Sequence, residues 1–248
     1  MTHDSQHPTR DTVISVKNMV KKFGHFVAND NLTFEVYKGE IFGFLGANGA
    51  GKTTAIRILC GLSTPTSGEM KVAGYDIYKE TEKIKKNIGY MSQKFSLYED
   101  LSIHENIRFY GGVYGIPQSE RKKKTAEMLD RLQLTPYADR KIGDLPLGWK
   151  QKLAFSIAIL HDPDIVFLDE PTGGVDPVTR RQFWNLIYEA VQRGITVFVT
   201  THYMDEAEYC DRISIMNEGR IVALDTPEKL KKQYDAKNMD EVFLKIAR

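Results

Sequence analysis

The chain has 248 residues, enough for one large domain or a domain carrying a sizeable subdomain. With 42% hydrophobic and 27% charged residues it has the balance of a globular protein, and its net charge of +1 gives no global field to draw nucleic acid or anionic lipid. The two cysteines, Cys60 and Cys210, lie far apart in no metal-ligand spacing, which points to reduced thiols in a cytosolic setting.

In chain order, residues 1–10 (MTHDSQHPTR) are polar, with no apolar core for a secretory signal; the expectation is a disordered tail in which His3 and His7 are solvated. VISVKNM and NLTFEVY read as short strands, and EIFGFLG, apolar throughout, as a strand buried on both faces. A Gly-rich turn leads into the helix TTAIRILCGL. STPTSG is a turn, EMKVAGYDI is strand-like, and KIKKN is a polar helix end before the strand IGYMSQ. From about Ser102 to Leu160 the pattern is helical, through SIHENIRFYGGVYG and SERKKKTAEMLDRLQL. The longest apolar run, Leu153–Leu160, is too short to cross a membrane and contains Ser156. After Asp162-Pro163 come the strand DIVFLDE, the helix PVTRRQFWNLIYEAVQR and the strand ITVFVTTH, then the hairpin pair RISIMN and GRIVAL and a charged helical tail. Strand–helix alternation predicts a parallel α/β core with a helical block inserted between its halves.

The chemistry-bearing residues sit at strand ends. Gly46–Thr53, GANGAGKT, matches GxxxxGK[ST] between an apolar strand and a helix. Its glycines let backbone N–H groups curl around an anion, Lys52 supplies a charge for β- and γ-phosphates, and Thr53 offers a hydroxyl to Mg²⁺. IVFLDEP ends a buried strand on Asp169 and Glu170. Alternation sends adjacent side chains to opposite faces, yet at a strand's C-terminal end both approach a site beyond the sheet edge. Asp169 suits Mg²⁺, directly or through a bound water, and Glu170 suits polarising an attacking water.

In their order and type these motifs resemble those of the nucleotide-binding subunit of an ABC transporter, over nearly the whole chain after Thr12. KKFG is similar to the adenine-stacking loop, with Phe23 where tyrosine is common; GANGAGKTT is the phosphate loop, Asn48, Gly49, Ala50, Gly51, Lys52, Thr53 and Thr54. The resemblance makes Gln93 of YMSQ the sensor of metal and γ-phosphate, Asp176 of GGVDP the dimer-facing loop residue, and His202 of VTTHYMDEAE the switch histidine. It implies an α/β P-loop NTPase (RecA-like) core with an N-terminal antiparallel β subdomain and an inserted helical subdomain near 95–160, all within a single domain, 11–248, that ends in a helical tail near 226–248. It also implies an ATPase using ATP and Mg²⁺, with catalytic Glu170, His202, Gln93 and Lys52 and metal-binding Thr53, Gln93 and Asp169. KFSLYEDLS after the glutamine is similar to ABC-2-type exporters of the drug-resistance kind; the alternatives are a soluble ABC ATPase acting on a protein complex, and a module that binds ATP but barely hydrolyses it.

The family's signature, beginning Leu-Ser-Gly-Gly, has its counterpart here in LPLGWKQ. Leu145 and Gly148 match, while Pro146 replaces the serine and Leu147 the first glycine. Proline removes a hydroxyl and an N–H but pre-sets φ for a helix start, leaving the N–H groups of Leu147, Gly148 and Trp149 to face an anion across a head-to-tail ATP-sandwich dimer. The expected partners are therefore a second copy or a homologous ATPase chain, and a separate ABC-2-type membrane permease, with no nucleic acid. The expected location is the cytoplasmic face of the membrane, with the chain soluble when expressed alone. Phe95–Tyr98, FSLY, is read as lining the permease groove.

Overall fold

The computed structural model describes residues 11–93 and 97–246; the tail at 1–10 and Phe95 lie outside the described residues. β1 (Thr12–Phe23) and β2 (Phe26–Tyr37) form a hairpin turned at Gly24, where φ is +58°. Both strands run further than their alternating apolar stretches, because the antiparallel ladder continues through Lys21, Lys22 and Val27. β1 also pairs with β4 (Ser67–Val72), and β4 with the short β5 (Tyr75–Asp76), giving an antiparallel sheet ordered β2-β1-β4-β5. EMKVAGYDI is thus two strands, split where Ala73 and Gly74 take φ of +50° and +79°.

The second sheet contains β3 (Ile41–Gly46), β6 (Ile88–Met91), β7 (Ile165–Asp169), β8 (Thr196–Thr201), β9 (Arg212–Asn217) and β10 (Arg220–Asp225), in the order β10-β9-β3-β8-β7-β6. All its pairings are parallel except the β9–β10 hairpin. The helices are α1 (Lys52–Leu59), α2 (Thr81–Asn87), α3 (Ile103–Val113), α4 (Gln118–Arg131), α5 (Leu147–Ala158), α6 (Pro177–Gln192), α7 (Pro227–Gln233) and α8 (Met239–Ile246). α3, α4 and α5 all fall between β6 and β7. Ser102 starts α3 with a capping box: its hydroxyl accepts from Glu105 N, and the Glu105 carboxylate accepts from Ser102 N.

Alternation along the central strands divides the core in two. Phe42, Phe44, Phe167 and Phe198 face the antiparallel sheet and α1, and with Phe34 of β2 form a cluster whose ring centroids lie 5.2–6.2 Å apart. Ile41, Leu45, Val166, Leu168, Val197 and Val199 face the other way, toward α5 and α6. Each fully buried phenylalanine contributes about 1.5–3 kcal/mol, so the cluster is a strong bond between the sheets. No helix among the described residues is long and apolar enough to cross a membrane.

The register of the core places the site. Leu45 pairs with Thr201, Asp169 with Thr200, and Met91 with Leu168, so the four neighbouring strands β3, β8, β7 and β6 end along one line. The phosphate loop, His202, the two carboxylates and Gln93 therefore emerge side by side at one sheet edge.

Candidate functional site

The loop after β3 is held open for an anion. Gly51 has φ +99°, and a Cβ there would stand 2.3 Å from the carbonyl oxygen of Ala28, so only glycine lets the loop lie this close to β2. Asn29 Nδ2 fixes the approach by donating to Gly51 O at 3.1 Å. Gly51 is the N-cap of α1 without a side-chain cap, and Lys52, Thr53 and Thr54 form the first turn, whose N–H groups and positive dipole end face the cavity. That cavity, ≈ 370 Å³, is lined by Phe26, Ala28, Asn48, Gly49, Gly51, Lys52, Thr53, Thr54, Gln93 and Glu170. Lys52 is buried; its ammonium donates to Gly46 O at 2.8 Å and Ala47 O at 3.1 Å and lies 3.3 Å from Glu170 Oε1.

Asp169 closes β7, and the next residue, Glu170, has φ +49°. This left-handed turn, worth about 1–2 kcal/mol of strain in an L-residue, swings Glu170 off the strand's alternation and into the cavity, while Asp169 stays buried behind Thr53 of the cavity wall. Its amide is pinned by Thr200, donating to the backbone oxygen at 3.1 Å and to the hydroxyl at 3.0 Å. Glu170 Oε2 accepts from Gln93 Nε2 at 3.0 Å and lies 3.1 Å from His202 Nδ1. Lys52, Gln93 and His202 thus converge on one carboxylate.

Asp169 Oδ1 accepts from the hydroxyls of Thr200 at 2.7 Å and Thr53 at 3.2 Å. Burial pushes its carboxyl above the ordinary range, the two hydroxyl bonds oppose that, and the neighbouring Glu170 charge adds to it. Asp169 Oδ2 is buried without a hydrogen-bond partner. An orphaned carboxylate oxygen beside a hydroxyl and, on Gln93, an amide oxygen is an all-oxygen donor set that fits a hard divalent cation such as Mg²⁺.

Phe23, assigned to the base by resemblance, is not among the residues lining the cavity; Phe26 is. The two pair directly across the β1–β2 hairpin, so they share a face, and both are more than half exposed. Lys21 Nζ sits 4.7 Å from the Phe23 ring centre. Phe26, three residues past Phe23, carries no motif of its own and reads in the sequence as one more strand aromatic. Thr200 likewise gives no local signal, since its role depends on pairing with Asp169, which only the sheet reveals.

LPLGWKQ does start a helix, with one correction. Pro146 is the N-cap of α5 rather than its first residue, and the Trp149 N–H donates to Pro146 O at 3.0 Å. Trp149 therefore offers no amide to an anion, and its ring packs edge-on against Tyr137 with centroids 5.1 Å apart. Leu147 and Gly148 keep N–H groups with no hydrogen bond among the described residues. Gly148 has a structural reason as well: a Cβ there would meet Thr179 Cγ2 at 2.4 Å. Asp176 caps α6, with Oδ1 accepting from Val178 N and Thr179 N at 3.0 Å each and Oδ2 from the Thr179 hydroxyl at 2.5 Å. Those bonds hold its carboxyl below the usual range. Within one chain, Leu147, Gly148 and Asp176 lie outside the cavity of the phosphate loop.

Residues 29–173 match the ABC transporter family. The chain is 48% identical over 231 residues to YbhF of Escherichia coli, a "probable multidrug ABC transporter ATP-binding protein", covering 93% of this chain but 40% of that one. The chain therefore spans less than half the length of that relative. It is 39% identical over 219 residues to the linearmycin resistance ATP-binding protein LnrL of Bacillus subtilis, covering 88% of this chain and 70% of that one. The solved structure of an ATP-binding subunit of an ABC transporter superposes with a TM-score of 0.86 at 27% identity, covering 96% of this chain and all of that one. A dimeric ATP-binding cassette in a post-hydrolysis state with ADP and Pi superposes at 0.77, with 27% identity, over 86% of this chain and 98% of that one. The shared architecture is the α/β P-loop NTPase core with an antiparallel β subdomain and inserted helices.

Proposed function

This chain belongs to the ABC transporter family, and on that premise we propose that it binds and hydrolyses ATP as the motor subunit of an exporter, dimerising on Mg-ATP to drive a separate membrane permease. The observation that carries this reading is the convergence of Lys52, Gln93 and His202 on Glu170 beside the phosphate loop. Each of these groups suits a γ-phosphate: an ammonium, an amide and an imidazole arranged around one anionic position.

The triphosphate threads over the N–H groups of Asn48–Thr54 and the start of α1, and Lys52 leaves the loop carbonyls for the γ-phosphate. Mg²⁺, when bound, would offset charge on the phosphate oxygens, held by Thr53, Asp169 and Gln93. Glu170, released from Lys52, accepts a proton from the attacking water; His202 donates to the γ-phosphate and Gln93 orients the water. In a head-to-tail dimer, the partner's α5 N-terminus would present its Leu147 and Gly148 amides to the same phosphate, with Asp176 near the shared face. A homodimer carries the Pro146 variant at both sites, so one sound and one degenerate site can arise only with a different partner chain.

Export is favoured because YbhF is named for multidrug transport and LnrL for linearmycin resistance. The chain would sit peripherally at the cytoplasmic face. An ABC-2-type permease is the proposed partner, and the proposed groove is the exposed apolar patch of Tyr98, Phe109 and Val113, where the first two rings meet edge-on at 5.0 Å. The test is Lys52→Ala: ATP turnover and tight Mg-ATP binding are lost while the circular dichroism spectrum stays parental. Parental turnover in that variant would remove the assignment.

A further inference from the structure

His202 is held from behind. Its ring packs on that of Tyr203, with centroids 4.1 Å apart. The guanidinium of Arg180, from α6, lies over the Tyr203 ring at 4.1 Å from its centre. Arg180 donates from Nη1 to Asp205 Oδ2 at 3.2 Å and forms an ion pair with Glu206, whose Oε1 lies 3.6 Å from its Nε, beyond hydrogen-bond reach. Glu206 is fully buried and also accepts from the Thr172 hydroxyl at 2.5 Å and from Trp184 Nε1 at 3.3 Å. Thr172 follows Glu170 by two residues, and Glu170 Oε2 lies 3.1 Å from His202 Nδ1.

These contacts close a ring: Glu170, His202, Tyr203, Arg180, Glu206, Thr172 and back along the chain to Glu170. A buried carboxylate and a planar cation have few alternative partners inside a protein, so such a ring resists rotation at every member. An imidazole on an exposed loop otherwise has two ring flips open to it, and stacking on a fixed tyrosine removes that freedom.

We propose that Arg180 and Tyr203 are positioning residues that fix the His202 ring toward Glu170 and the γ-phosphate, with the buried Glu206 as their anchor. This rests on the reading of His202 as a γ-phosphate contact. The effect passes through the geometry of a transition-state contact, so it falls on kcat and spares KM.

The test uses the purified full chain and measures kcat and KM for Mg-ATP together with thermal melting. Arg180→Met and Tyr203→Leu lower kcat by about tenfold or more, since small displacements of a catalytic group have effects of that size, while KM stays within about twofold. Tyr203→Phe keeps the ring and retains the parental kcat. In a His202→Ala background, Tyr203→Leu brings no further loss beyond about twofold, because the residue it positions is already gone. In a chain with labelled histidines, the His202 imidazole resonance moves in Arg180→Met and Tyr203→Leu but not in Tyr203→Phe. Parental kcat in Arg180→Met and Tyr203→Leu, with an impaired His202→Ala, overturns the relay alone. Equal losses with and without His202 overturn it too, by showing that the two residues serve only the fold. A His202→Ala chain at the parental rate removes the underlying reading and the relay with it.

Discussion

Lys52 Nζ lies 3.3 Å from Glu170 Oε1, with both side chains more than nine-tenths buried. The cation that should hold the γ-phosphate is thus paired with the carboxylate that should activate water, and Gln93 and His202 attend the same carboxylate. Under the proposed function, Lys52, Gln93 and His202 would read the γ-phosphate, so Mg-ATP would compete with this pairing and sit beside the Glu170 carboxylate. Glu170→Gln removes both obstacles. Its affinity for Mg-ATP should exceed the parent's by about fivefold, corresponding to relief of about 1 kcal/mol of like-charge repulsion at partly screened distances. Isothermal titration at low salt measures this; equal or weaker binding by the variant contradicts it.

Asp169 gives a pH-dependent prediction. Its carboxyl is raised chiefly by burial, so the folded chain holds that proton more tightly than the unfolded chain does. The penalty on stability is therefore full above the folded value and disappears as pH falls below the unfolded value near 4. Asp169→Asn should melt about 2–4 °C higher than the parent near pH 7 if the relief is about 1 kcal/mol. That gain should shrink as pH is lowered toward 4, and the variant should not turn over ATP. A variant that melts lower at pH 7 would mean that the carboxylate is satisfied in the fold without a cation.

Phe26 on the cavity wall, with Phe23 directly across the hairpin from it, predicts a base platform at the mouth of the cavity. Stacking on one aromatic ring is worth about 1–3 kcal/mol per base. Phe23→Ala and Phe26→Ala should each weaken Mg-ATP, and the double variant should lose about tenfold or more. Binding of Mg-tripolyphosphate, which has no base, should be unchanged in all three. Competition against a fluorescent nucleotide reads both ligands, and an unaltered ATP affinity in the double variant would place the base elsewhere.

The variant signature separates into a cap and a contact. Pro146 caps α5 without a side-chain bond, so Pro146→Ser supplies an N-cap hydroxyl worth about 1 kcal/mol. Turnover should stay level or rise. Gly148 carries a steric demand from its own chain, since the Thr179 methyl lies where a Cβ would go. Gly148→Ala should lower stability by about 1–3 kcal/mol, and Thr179→Ser in the same chain should restore much of it. Failure of Thr179→Ser to rescue would show that the contact is not what limits residue 148.

The parallel core was legible in the sequence because runs such as IFGFLG and IVFLD leave no solvent face, and the phosphate loop announced itself between a strand and a helix. The convergence of the carboxylates was legible only in part. Residue order put Asp169 beside Glu170, but the left-handed backbone that turns Glu170 into the cavity is a tertiary effect, enforced through Thr200 on a neighbouring strand, which also holds Asp169. Trp149 shows the opposite limit: its amide looked free by its place in a helix start, and the tight turn onto Pro146 O consumed it. The Arg180–Tyr203 contact joins residues more than twenty positions apart and carries no local pattern at all.

If Glu170 accepts the proton from the attacking water, as proposed, single-turnover hydrolysis by Glu170→Gln exposes the loss of that step without interference from product release. Gln keeps the shape and the neighbours of Glu170 but cannot take the proton. The variant should bind Mg-ATP, cleave it at least about a hundredfold more slowly than the parent, and accumulate as an ATP-bound dimer on size exclusion. Cleavage at the parental rate, with ATP bound, would contradict the proposal.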